Sequence, residues 1–387
     1  MSLTENSLNA VRLAETEALL DRFEERVRAA QLKAPATRDL VRRSVRRQDA
    51  ARCPVWLRRV TLDVVVRHGE ALMDLFDEFP DDLGRVSPHD FMLGLRSRCS
   101  PPLSPVEALL ADSTWTNEWG VVWRHVRDGV GATEVEHPLK DWGQLDAYLA
   151  ERFPDPRGPG RFDATFAPAR AFREAGTYSF GLLGPVFYHI FSIRGMENAL
   201  ADLRANPAEL RRLVDALRDF ALELVRSWGT VGVDAIMMLD DWGTQRATMM
   251  SPAVWRDFFK EGYAVLIREA HALGMDVFLH SCGCVTGIVE DLIEVGLDVL
   301  DPVQTSAMDI AELARRFGGR ISFCGTIDVQ DLLPRARPDE VKDAIRRARD
   351  VLGRPYGNGL ILAPTNTITP EVPLENLRAM FEACHEE

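Results

Sequence analysis

The residues whose types and spacing are best suited to chemistry lie in Met275-Asp-Val-Phe-Leu-His-Ser-Cys-Gly-Cys284, a short apolar run that stops at a histidine and two cysteines. His280 and Cys282 are two apart. On an extended segment both side chains then point the same way, as two ligands of one metal must. Neutral imidazole and thiolate suit zinc, and an open position on zinc can bind and activate a substrate thiol. The plain alternative is a buried histidine beside a small core cysteine. A third ligand is not evident from spacing, and Cys324, Cys284, Asp240 and Asp241 are the candidates. Asp240 and Asp241 are adjacent, so on a strand end at most one faces a pocket, while the other caps a helix or pairs with an arginine.

The elements that must position these groups alternate regularly from Tyr178 onward. Apolar runs at Tyr178–Leu183, Val233–Leu239, Asp276–Leu279, Asp298–Leu300, Arg320–Phe323 and Gly359–Leu362 are separated by helical stretches. Those stretches are Glu197–Trp228, Pro252–Leu273, Gly287–Val295, Ala307–Phe317, Pro338–Leu352 and Leu374–Cys384. Continuous rather than alternating apolar runs predict a parallel sheet buried on both faces. Cys53–Leu57 reads as the first strand and Leu62–Phe79 as the first long helix. The expected fold is a (β/α)8 barrel over residues 51–387, with an open doubly wound sheet as the alternative. No glycine-rich phosphate loop follows a strand, which speaks against the open sheet. Residues 1–50 read as two charged helices lying outside the barrel. Residues 100–170, rich in Trp, Pro and Gly, read as an irregular lid with its tryptophans as packing anchors. Each later run ends in polar residues that a core does not need: Asp240 to Gln245, His280 to Cys282, Asp301 to Gln304, Cys324 to Asp328, and Pro364 to Asn366. A barrel gathers such strand ends into one ring.

A net charge of −13 over 387 residues excludes the clustered positive surface that nucleic acid or an anionic membrane requires. The arginines between Arg38 and Arg59 read as a solvated helix face, with an acidic ligand as the alternative. Six cysteines in a chain of this length do not make a disulfide framework, so reduced thiols in a cytoplasm are expected, with Cys53, Cys99 and Cys384 structural. No apolar stretch approaches the roughly 20 residues of a membrane span.

Asp240-Asp-Trp-Gly-Thr-Gln245, Phe278-Leu-His-Ser-Cys-Gly283, Gly325-Thr-Ile-Asp328, and Leu362-Ala-Pro364 followed by Pro370-Glu-Val-Pro-Leu-Glu-Asn376 resemble the uroporphyrinogen decarboxylase superfamily. That resemblance implies a (β/α)8 barrel with a deep pocket at its C-terminal rim. It also implies one of two activities: cofactor-free decarboxylation of uroporphyrinogen, or zinc-dependent methyl transfer involving corrinoid proteins and thiol acceptors. Pro54-Val-Trp56 and Arg59 match the decarboxylase pattern, but its second arginine falls at Asp63, its tyrosine at Phe191 and its late histidine at Asn366. His280 and Cys282 match the first two zinc ligands of the methyltransferases, whose third, a late cysteine, aligns with Asn366. Cys324 or a carboxylate would have to replace it.

The expectation is therefore a methyltransferase-like enzyme, with zinc on His280, Cys282 and Cys324. Asp240, Asp241 and Asp328 are the expected catalytic carboxylates. Gln245, Tyr188, His189, Arg59, Asn117, Glu118 and Asn366 are the expected substrate contacts. A small-molecule substrate, a separate corrinoid protein and a second copy of the chain are the expected partners. The alternatives are a decarboxylase with Arg59 and Arg194 as anion binders, and a non-catalytic corrinoid- or porphyrin-binding barrel.

Overall fold

The computed structural model describes residues 3–86, 100, 113–127, 131–205 and 207–386. Strand β1 (Leu83–Arg85) opens a seven-stranded sheet. Three strands, β2 (Thr114–Thr116), β3 (Val122–Arg127) and β4 (Gly131–Glu136), then form a separate antiparallel sheet. The main sheet continues with β5 (Tyr178–Gly184), β6 (Ala235–Leu239), β7 (Asp276–His280), β8 (Val299–Asp301), β9 (Ser322–Cys324) and β10 (Leu360–Ile361). Its order is β1-β5-β6-β7-β8-β9-β10, with every pair parallel. The segment Pro54–Leu57 links the two edges. Trp56 N–H donates to Leu362 O and Leu362 N–H to Pro54 O on one side, and Asp82 N–H donates to Val55 O on the other. This is the stave that the sequence assigns to the first strand.

Side chains divide by strand parity, as a period of two requires. Phe180, Leu182, Met237, Phe278, Val299, Cys324 and Ile361 fill the interior. Ile236, Met238, Val277, Leu279, Leu300 and Phe323 face the helices. Both faces being dry is why these runs are continuously apolar.

Three expectations are revised. The two N-terminal helices exist, at Leu3–Lys33 and Arg38–Val45. The second is not outside the barrel, because Val41 and Val45 belong to the interior cluster. The arginines around it are not a solvated face either: Arg38 and Arg42 pair with Asp234 at 2.6 and 2.8 Å, and Arg46 with Asp276 at 3.5 Å. They neutralise carboxylates buried before β6 and at the start of β7, so their charge serves the barrel floor. The expected helix Glu197–Trp228 is two helices, Met196–Ala205 and Pro207–Val231, since Pro207 lacks an N–H and starts a helix better than it continues one.

The 100–170 insertion carries the antiparallel sheet as well as short helices, and part of it, with Cys99 before it, lies outside the described residues. Its tryptophans act as anchors: Trp119 is 1% exposed, wedged against Phe153 and Phe220.

Candidate functional site at the barrel rim

Consecutive strand ends build the site. In the parallel register Leu239 lies beside His280, and His280 beside Asp301. Beyond β6 the chain runs Asp240-Asp241-Trp242, and beyond β7 it runs Ser281-Cys282-Gly283. These two loops pack backbone to backbone. A Cβ on Gly243 would lie 2.4 Å from Cys282 O, and one on Gly283, whose φ is +82°, would lie 2.5 Å from the Gly243 carbonyl carbon. Only glycines permit that approach. The loops are further pinned by Cys284 N–H to Thr244 O (2.7 Å), Trp242 N–H to Ser281 Oγ (2.9 Å) and Gly283 N–H to Gln304 Oε1 (2.8 Å).

Pinned in this way, one group of three potential ligands converges among the described residues. Asp241, His280 and Cys282 each offer an atom within 4.8 Å of the others. His280 Nε2 lies 3.4 Å from Cys282 Sγ, and Asp241 Oδ1 accepts the Cys282 backbone N–H at 2.8 Å. Asn366 reaches the same sulfur: its amide nitrogen lies 3.2 Å from Cys282 Sγ, and its Oδ1 accepts from Thr367 N–H at 2.6 Å. The second contact fixes which end of the amide faces the site.

Behind His280 stands Asp301, 0% exposed, with Oδ2 at 2.6 Å from His280 Nδ1 and Oδ1 at 2.7 Å from Arg59 Nη2. A carboxylate on Nδ1 aims Nε2 into the site, the usual support for a metal-bound histidine. Burial alone would lower the pKa of His280. The hydrogen bond to Asp301, the contact with Cys282 and their charges outweigh it and raise it to about 10. Burial alone would raise that of Asp301, but Arg59 and His280 hold it down at about 2.

The remaining expected residues separate into two sets. Tyr188 stays near the site, half-buried, its pKa raised by burial and then by Asp241, Glu134 and Asp240, so its hydroxyl keeps its proton. Asp328 sits beyond β9, with Oδ2 accepting from Asp331 and Leu332 N–H. Gln245 is an exposed loop residue 3.5 Å from Gln304.

Others hold structure. Asp240 is 0% exposed and its oxygens accept from Val186, Phe187 and Tyr188 N–H and from the Tyr263 hydroxyl, so it ties the turn after β5 to β6. Cys324 lies outside the ligand group, buried 4.0 Å from Arg59 Nη2, with burial and then Asp301 pushing its thiol pKa well up. Cys284 turns to Thr286 Oγ1 at 3.7 Å. His189 stacks on Trp119 at 4.0 Å. Asn117 Oδ1 closes a turn on Trp119 and Val121 N–H, Glu118 pairs in two-pronged fashion with Arg161, and Arg194 pairs with Asp202.

Asp301, Ser281 and Gln304 are the supporting residues that the spacing did not single out. The available signal for Asp301 was its place at the end of the strand next to His280.

A parallel barrel sheet with a His, Cys and carboxylate group at its C-terminal rim defines an α/β-barrel protein with its candidate site at the strand ends. The chain belongs to the uroporphyrinogen decarboxylase family, whose model matches residues 156–387. Among similar curated proteins are a methylated-thiol–coenzyme M methyltransferase from Methanosarcina mazei and a uroporphyrinogen decarboxylase from Pseudomonas fluorescens Pf-5. The first is 23% identical over 50% of this chain and 49% of its own length, the second 28% identical over 50% and 53%. The chain thus spans about half the length of the curated relatives it matches. A solved methyltransferase from Methanosarcina mazei shares the fold over 90% of this chain and 98% of its own, with a TM-score of 0.63 and 18% identity. No helix among the described residues is long and apolar enough to cross a membrane.

Proposed function

We propose that this protein is a zinc-dependent methyltransferase that moves a methyl group to a thiol-type acceptor, with His280, Cys282 and Asp241 as the metal ligands. The observation that carries the reading is the convergence of those three ligand atoms within 4.8 Å, with Asp301 orienting the imidazole. The donor set suits zinc: one nitrogen, one sulfur and one carboxylate oxygen, with room in a four-coordinate site for a substrate atom. Zinc held there supplies a Lewis acid that lowers the pKa of an acceptor thiol.

The chain's own residues do the rest. Asp301 fixes the tautomer and aim of His280, and the Asp241 carboxylate holds the Cys282 loop through its backbone N–H. The Asn366 amide donates towards the Cys282 sulfur and so tempers its charge, while burial and then the charges of Asp241, Glu134 and Asp240 keep the Tyr188 hydroxyl protonated. The methyl donor is a corrinoid carried on a separate protein, or another methyl carrier. Capture of a substrate carboxylate by Arg59, as decarboxylation would use it, is disfavoured because its guanidinium is already committed to Asp301.

The test is metal analysis of protein purified without chelator or metal affinity, beside Cys282→Ser and Asp241→Asn, followed by assay of thiol methylation with a methylated corrinoid. About one zinc per chain, lost with Cys282→Ser and weakened with Asp241→Asn, is expected. Metal-free protein that cannot be loaded would refute the reading.

A further inference from the structure

The rim holds two buried polar side chains that the metal-ligand group does not use. Thr326 is 6% and Asp328 7% exposed, and Thr326 Oγ1 and Asp328 Oδ1 have no hydrogen-bond partner. The other oxygen of Asp328 accepts from Asp331 and Leu332 N–H at 2.8 and 2.9 Å, which holds the carboxylate rigidly. Ile327 between them bridges to Pro364 and packs in the outer core, whereas Cys324 and Ala363 belong to the interior. Neighbours on an extended segment face the opposite side, so Thr326 and Asp328 point inward, above Cys324. The threonine hydroxyl at Thr365 opposite is already engaged by Val329 N–H.

A buried carboxylate oxygen without a donor is unfavourable until something donates to it. Its charge also matters. Arg59, the buried guanidinium at this end, is neutralised by Asp301, so it does not offset Asp328. We propose that Thr326 and Asp328 bind a protonated amine on the substrate, so that this protein selects an amine-bearing molecule over one with an anionic end. The inference rests on the methyl-transfer reading for the thiol end of that molecule.

Two small thiols separate the cases, because 2-aminoethanethiol and 2-mercaptoethanesulfonate share a two-carbon thiol and differ in the charge of the far end. Calorimetric titration of zinc-loaded protein is expected to show about tenfold or more tighter binding of the amine, the scale of one hydrogen bond to a charged group. Asp328→Asn retains a side-chain oxygen that can cap the following helix, and together with Thr326→Val it is expected to erase the preference while zinc content stays the same. Should Asp328→Asn fail to fold, the ratio of the two affinities in Thr326→Val decides alone.

Equal affinities, or a preference for the sulfonate through the exposed Arg246, would overturn the proposal. Propylamine titrated into Cys282→Ser separates the two readings. Its binding, lost on adding Asp328→Asn, would support the amine site even if zinc and methyl transfer were absent. Zinc and thiol binding without amine discrimination would sink the amine site alone.

Discussion

Asp301→Asn is the most informative single perturbation, because this side chain touches both the fold and the site. Its two oxygens, 2.7 Å from Arg59 and 2.6 Å from His280, are wholly buried, and the Arg59 side chain is only 8% exposed. Asparagine keeps the volume but removes the charge. Its NH2 end, moreover, can only donate, so the one remaining oxygen can accept from Arg59 or from His280 but not from both. Arg59 is then left as a buried cation facing Trp56 at 3.9 Å and the Pro364 carbonyl at 3.2 Å, with no counter-ion from this residue. Breaking a buried pair by removing one partner typically costs about 3–5 kcal/mol. The ring of His280 also loses its orienting carboxylate, which for metal-bound histidines costs about 10- to 100-fold in affinity. Urea unfolding of metal-free protein reads the first effect and competitive zinc titration the second. Adding Arg59→Met to Asp301→Asn is expected to return much of the stability but none of the zinc affinity, since it removes the orphaned cation and leaves the imidazole unsupported. Parental stability and parental zinc affinity in Asp301→Asn would refute the argument.

Cys324→Ala is expected to leave zinc affinity unchanged and to lower stability by about 1–2 kcal/mol for the small cavity left in the interior, measured by titration and urea melts; loss of zinc would place Cys324 among the ligands after all. Gly283→Ala puts a Cβ against Gly243 at a φ of +82°, so a drop in zinc affinity is expected with little change in global melting, as the strain sits in the loop. His189 is buried on Trp119 with a pKa pushed by burial to about 3, below the ordinary value of about 6.5. Its folded pKa is depressed, so the unfolded chain binds the extra proton. Stability is complete above pH of about 6.5 and falls by about 1.4 kcal/mol per pH unit below it. His189→Phe should flatten that part of the profile, and an unchanged slope would show that His189 is not buried and neutral.

Much of this molecule was legible in one dimension. The parallel architecture follows from six apolar runs too short for helices and too continuous for a half-exposed sheet, and their polar ends marked the rim. His280 and Cys282 were legible because a spacing of two on an extended segment is a statement about direction. The family pattern placed Asn366 at this site, and its amide does reach Cys282 Sγ.

Tertiary structure decided what spacing leaves open, namely which distant residue completes each contact. Asp240 and Asp241 are equivalent to a reader of the sequence, yet one is drawn inward by three backbone N–H groups and a tyrosine while the other is left beside the sulfur. Cys324 and Asp301 also end neighbouring strands. Asp301 reaches both His280 and Arg59, whereas the Cys324 thiol stays buried against Arg59 and Asp301, so the charge partner of His280 is an aspartate and not a second sulfur ligand. A strand fixes the side on which its own residues point, whereas the packing of loops across the barrel selects which of those residues meet.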